Sequence, residues 1–137
     1  MIATTKILAS CILLAAQSYN LSPAVLVGIY KVEGGQIGQE VHNSNGSYDL
    51  GPMQINTIWL PELAKGWGID QNTARAWVRD DACTNTKVAA WILRGHLDRT
   101  GDLATAVAHY NSRTPHIGAG YHAKVRRALD HGGLLRD

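Results

Sequence analysis

A chain of 137 residues is a one-domain length with enough material for a real hydrophobic core. Its 45% apolar content is ordinary for a globular protein and suggests neither a disordered chain nor a membrane span. The formal net charge of +2 is too small to argue for a nucleic-acid partner and is compatible with an anionic polymer. With no Phe but four Trp and five Tyr, the aromatics present are those that stack on sugar faces while keeping a polar tip, although core packing is the usual job of a Trp.

Residues 1–20 have three readings. A signal peptide would have one Lys and a short apolar run but a poor cleavage site at Leu14-Ala15-Ala16. A lipoprotein box at Leu8-Ala9-Ser10-Cys11 would have too short an apolar stretch before it. The favoured reading is an amphipathic first helix of the mature domain, with Ile7, Cys11, Leu14 and Ala15 on one stripe. The natural export signal is then expected to be absent from this chain. The other cysteine is Cys83. Two cysteines allow one intramolecular pair, expected in an exported protein, whereas a cytosolic chain favours two buried thiols. Too few cysteines remain for a metal site, no His-Glu-x-x-His pattern occurs, and Gly46 is misplaced for a calcium loop over Asn43 to Asp49.

The second helix begins at Ser22, an N-cap residue, with Pro23 in the first helical position. Val25, Leu26, Ile29 and Val32 make an apolar face, so Glu33 arrives at the helix end beside the core, and Gly34-Gly35 stops the helix. Burial favours the protonated form of a carboxyl and equips it to donate a proton near neutral pH. Asn45-Gly46 signals a hairpin turn, with Ser47 to Leu50 as the following strand. Asp49 lies on that wet hairpin, where a carboxylate stays ionised. Two carboxyls with opposite environments flanking a cleft are what glycosidic bond cleavage requires, one to protonate the leaving oxygen and one to stabilise or trap the oxocarbenium-like centre. Taken singly, Glu33 reads equally as a surface acid at a helix end and Asp49 as an ordinary turn residue.

Thr57 is expected to cap a short helix through Leu60, Leu63 and Ala64 that stops at Gly66, with Trp59 and Trp67 as packing residues. Further helices are expected at 72–79 and 84–97, the second carrying Val88, Trp91, Ile92 and His96 on one stripe, with His96 as a structural histidine. Gly101 ends that run and Asp102 caps a helix over Leu103 to Asn111. Taken singly, Tyr110 at that helix end reads as a core residue with its hydroxyl in water. A loop over 112–120 follows, and Lys124, Arg126 and Arg127 beyond it read as a solvated face.

The stretch around the two carboxylates resembles the lysozyme-like superfamily, in which a catalytic Glu ends a helix and a Gly-x-x-Gln-Ile-Asn segment follows a small hairpin. Glu33, Gly51, Gln54, Ile55 and Asn56 carry that match. Met53-Gln54 narrows it to the lytic transglycosylases, whose pattern is Gly-Leu-Met-Gln, with Pro52 here in place of Leu. Ala108-His109-Tyr110-Asn111 resembles their Ala-x-Tyr-Asn, with His in the variable position, and Tyr121 to Val125 their Tyr-x-x-Lys-Val. Gly34 departs from the Ser that usually follows the catalytic Glu. Against hen-type lysozymes, Asn43 to Asn56 runs without a gap and Asp49 falls on their second catalytic carboxylate. Cys11-Ile12, Ala15-Ala16 and Tyr19, together with Asp81-x-Cys83-x-Asn85, are similar to the small transglycosylases that accompany secretion systems and conjugative pili.

The resemblance covers nearly the whole chain, and it implies one mainly α, α+β lysozyme-like domain over residues 1–137, with a small β-hairpin lining the cleft. It implies peptidoglycan glycan strands as substrate, cut between N-acetylmuramic acid and N-acetylglucosamine with an anhydromuramyl product. Glu33 acts as acid and then base, Asp49 as a second catalytic carboxylate. Asn43, Met53, Gln54, Asn56, Tyr110 and Asn111 contact substrate, and Cys11 pairs with Cys83. Such a bridge closes a loop of roughly seventy residues and contributes about 2–4 kcal/mol. No cofactor or metal is implied; the setting is the periplasm or cell envelope, and the protein is a monomer with secretion-system or pilus components as possible partners. The alternatives are a hydrolytic muramidase and a non-catalytic peptidoglycan-binding module.

Overall fold

The structure, a computed structural model, describes residues 2–111 and Val125. The expected loop at 112–120 and the residues Tyr121, Lys124, Arg126 and Arg127 lie outside the described residues, as does the side chain of Asn111. Among the described residues the chain folds as α1 (Ile2–Ser18), α2 (Pro23–Glu33), β1 (Glu40–His42), β2 (Tyr48–Leu50), β3 (Ile55–Asn56), a 3-10 turn (Thr57–Trp59), α3 (Leu60–Trp67), α4 (Gln71–Asp80), α5 (Ala82–Thr100) and α6 (Leu103–Asn111). This is the mainly α, lysozyme-like architecture with a small antiparallel sheet in the order β1-β2-β3. Among the described residues no helix is long and apolar enough to cross a membrane.

The core is built along α5, whose Val88, Ala89, Ile92 and Leu93 are buried and receive α1 on one side and α6 on another. Small residues at Ala89, Ala90 and Ala106 let these helices approach closely. The face of α1 that packs inward is Leu8, Cys11, Ile12, Ala15 and Ala16. This corrects the expected stripe, because Ile7 and Leu14 are 56% and 59% exposed. Cys11 and Cys83 form a disulfide across 72 positions, fastening α1 to the start of α5.

Several helix ends follow different chemistry from that expected. Ser22 occupies the N-cap of α2 but makes no side-chain cap bond, so the start is set by the fixed φ of Pro23. Asn56, not Thr57, caps the 3-10 turn by accepting from the Ile58 N–H at 2.9 Å, while Thr57 Oγ1 accepts the Tyr48 N–H. Helix α3 passes through Gly66 and ends at Gly68, where φ is 69° and the Ile69 N–H donates to the Ala64 carbonyl. Asp70 and Asp81 cap α4 and α5 by accepting from Thr73 and Thr84, which starts each helix one or two residues before the expected position. Asp102 caps α6 as expected, accepting from the Thr105 N–H at 2.9 Å.

The sheet is anchored to α4 by Glu40. Its carboxylate accepts two bonds from Arg75 and one from Arg79, and Arg75 lies 4.8 Å over the Tyr48 ring. Those charge-assisted bonds hold the Glu40 carboxyl down at about 2, well below its ordinary value. The sheet, which forms one wall of a cleft, is thereby fixed to the helical body.

Candidate active site

Two glycines bring Glu33 to the sheet. Gly34 takes the left-handed conformation, φ 63°, and its N–H closes α2 onto the Tyr30 carbonyl at 2.8 Å. Gly35 then runs against the Gly51-to-Gln54 turn, donating to the Pro52 carbonyl. A Cβ at Gly35 would overlap the Gly51 carbonyl oxygen and stand 2.6 Å from Gln54 Nε2, so only glycine permits this approach.

The turn itself is held from below by Asn85 of α5, fully buried. Its Oδ1 accepts from the Met53 N–H at 2.8 Å, and its Nδ2 donates to the carbonyls of Leu50 and Val78, each at 2.9 Å. Gln54 adopts φ 54°, unusual for a residue with a side chain, and its Nε2 folds back onto the Gly51 carbonyl at 3.0 Å. Backbone held this way costs about 1–3 kcal/mol and persists where surrounding bonds fix it. Tyr110, at the end of α6, closes the arrangement by donating its hydroxyl to the Met53 carbonyl at 2.9 Å. Burial pushes the Tyr110 phenol well up from its ordinary value, and the nearby charges of Glu33 and Asp49 push it further. Both carboxylates therefore act on one phenol.

The resulting cleft has a volume of about 490 Å³. Of the residues expected at the site, Glu33, Asn43, Asp49, Gln54, Asn56 and Tyr110 all line it. Met53 does not, being fully buried, and its carbonyl accepts the Tyr110 hydroxyl. Along the hairpin, Asp49 pairs in register with Val41 and Asn56, and the Asn56 amide donates to Asp49 Oδ1 at 3.0 Å. The same amide reaches Ser47 Oγ, which also receives the Asn43 amide. A chain of amide, hydroxyl and carboxylate groups thus covers one wall.

The opposite wall holds residues that sequence reasoning placed elsewhere. Trp59, read as packing, and His96, read as structural, both line the cleft, together with Ile92 and His109. The rings meet in sequence, Trp59 to His96 at 6.3 Å and His96 to His109 at 5.9 Å, and Arg99 contacts His96 Nδ1 at 2.8 Å. The available signal was the spacing of Ile92 and His96, four apart on one helical face. Among the described residues no group of three or more His, Cys, Asp and Glu is placed to hold a metal ion.

A wall of hydrogen-bonding groups that includes Asp49, an aromatic wall and Glu33 in one cleft fit a polymer of hydroxylated rings. The invasion protein IagB of Salmonella typhimurium (strain SL1344) is 34% identical over 110 residues, covering 77% of this chain, and IagB of Salmonella typhi matches equally. The chain spans 64% of the length of these relatives. The family described as Transglycosylase SLT domain matches residues 10–127, and the chain belongs to that family.

Proposed function

We propose that this protein is a peptidoglycan lytic transglycosylase that cuts the bond between N-acetylmuramic acid and N-acetylglucosamine. The observation that carries the reading is the position of Glu33, at the end of a helix and in one cleft with Asp49, Gln54, Asn56 and Tyr110. Glu33 gives its proton to the glycosidic oxygen as the bond to the anomeric carbon breaks, and positive charge develops on that carbon. The Glu33 carboxylate then takes the proton of the muramyl 6-hydroxyl, whose oxygen attacks the anomeric carbon and closes the anhydro ring. No water is consumed and Glu33 ends protonated, ready for the next strand. Asp49, oriented by the Asn56 amide, stabilises the charged centre.

The same Asp49 favours a second reading, hydrolysis by two carboxylates, in which water attacks instead and a reducing end is left. The disulfide supports an exported protein working in the cell envelope, where local wall opening for a secretion or pilus system is the proposed role. The invasion name of the relatives is in keeping with that role. Mass spectrometry of products from purified peptidoglycan tests both readings. Anhydromuramyl ends are expected, lost in a folded Glu33→Gln variant by about 10²–10⁴-fold or more. Reducing ends make the protein a muramidase, and near-native lysis by Glu33→Gln removes Glu33 from the mechanism.

A further inference from the structure

A second cavity, of about 480 Å³, lies behind the aromatic wall of the catalytic cleft. Trp59 lines the cleft and Trp91 lines the second cavity, and the two indoles meet edge to face at 5.5 Å, so one ring pair separates the spaces. The second cavity presents Tyr19, Trp67, Trp77 and Trp91, with Glu62 and Lys87 among them. Trp67 and Trp77 approach each other at 5.4 Å with planes tilted 45°, yet remain 37% and 44% exposed. Core packing accounts for Trp91 but leaves two large exposed indoles in a concavity unexplained, which is the kind of surface that marks a binding site.

The lining selects among ligands. One acid and one base give no net charge, which disfavours a polyanion such as nucleic acid or an anionic lipid surface. Leu63 and Val88 also line the cavity, but three of its side chains are indoles, and flat indole faces with polar N–H tips match the flat apolar face of a pyranose ring bearing hydroxyl and acetamido groups at its edge. The volume lies within the range of roughly 300–1,000 Å³ typical of small-molecule pockets. We infer that this groove binds N-acetylhexosamine units of a glycan strand away from the bond being cut. The inference rests on the proposed reading that the polymer is peptidoglycan. Two sites on one polymer raise its retention well beyond either alone, by about 10²–10⁴-fold when both engage.

The test uses Glu33→Gln protein, which holds glycan without cutting it, with and without Trp67→Ala/Trp77→Ala, in co-sedimentation with insoluble peptidoglycan sacculi. The indole-free variant is expected to bind sacculi at least about 10-fold more weakly. In the catalytically intact background, the same double substitution is expected to leave kcat/KM on short soluble glycan fragments within about 2-fold, because those fragments fill only the cleft. Trp67→Phe/Trp77→Phe keeps flat rings and is expected to recover most of the sedimentation, which separates ring loss from misfolding. Unchanged sedimentation of the alanine variant overturns the inference, as does an equal loss on soluble fragments. A Glu33→Gln parent that ignores sacculi altogether removes the peptidoglycan reading and the groove's role with it. A parent that is dimeric where the alanine variant is monomeric assigns the groove to a contact between copies instead.

Discussion

Removing the Asn85 side chain should damage the site although Asn85 does not line the cleft. Asn85→Ala deletes three buried hydrogen bonds at once, those to the Met53 N–H and to the carbonyls of Leu50 and Val78. A buried group left without its partner costs about 1–3 kcal/mol, and three sharing one side chain are not additive, so a total of about 3–5 kcal/mol is expected. For a chain of this size that lowers the melting temperature by roughly 10–15 °C. Below the new transition the turn carrying Gln54 is released, and loss of alignment there is expected to slow lysis by roughly 10–100-fold. Asn85→Asp separates bond chemistry from volume. It is nearly isosteric and keeps an acceptor for Met53, but it turns an oxygen toward the two carbonyls to which Asn85 donates. Urea denaturation and lysis of purified peptidoglycan measure the two effects. If Asn85→Asp is tolerated at under about 1 kcal/mol, the clamp is a packing feature and the hydrogen-bond reasoning is refuted.

Three further outcomes follow from the geometry. Glu40 has its pKa lowered from an ordinary 4.5 to about 2 by bonds from Arg75 and Arg79, so its stabilisation is complete above pH 4.5 and is lost as pH falls toward 2. Glu40→Gln should flatten the acid limb of a stability-versus-pH curve in that window, and an unchanged limb would show the cluster to be energetically silent. Cys83→Ser opens the 72-position bridge and should cost about 2–4 kcal/mol by thermal melting, with the parent showing the same loss under reductant. Gly35→Ala places a methyl against the Gly51 carbonyl and should abolish lysis or soluble expression, whereas Gly34→Ala meets nothing nearby and is strained only by its φ of 63°. Equal activity of the two alanine variants would show that the close approach is not what Gly35 provides.

Much of this protein was legible because its signals are local. Pro23, Asp102, Gly34 and the Asn45-Gly46 turn act through their own backbone neighbours, and helix α2, the hairpin and α6 fall where those residues put them. The segment from Gly51 to Asn56 and the Tyr110 position carried the family, since turn chemistry and cleft chemistry coincide in one short stretch. Where several local signals compete, the sequence does not rank them. Gly66 is a stop signal by residue type, but a lone glycine only weakens a helix, and the residue that ends α3 is Gly68, whose φ of 69° lets Ile69 bond back to Ala64.

The sequence by itself determined the order of elements, the two carboxylates and the cysteines available to pair, because each depends on residues adjacent in the chain or on chemistry a side chain has anywhere. Only the tertiary structure decided which side of each element meets which. Helix α1 is apolar nearly all round, so its periodicity has no phase until α5 buries Leu8, Ile12 and Ala16 and leaves Ile7 and Leu14 in water. Asn85 reads as one polar residue in a helix until packing sets it beneath the Gly51-to-Gln54 turn, and His96 and His109 become one wall only because α5 and α6 lie together. Such contacts join residues far apart in sequence, and the free energy that selects them comes from burial and bond satisfaction in the assembled fold, which no local window contains.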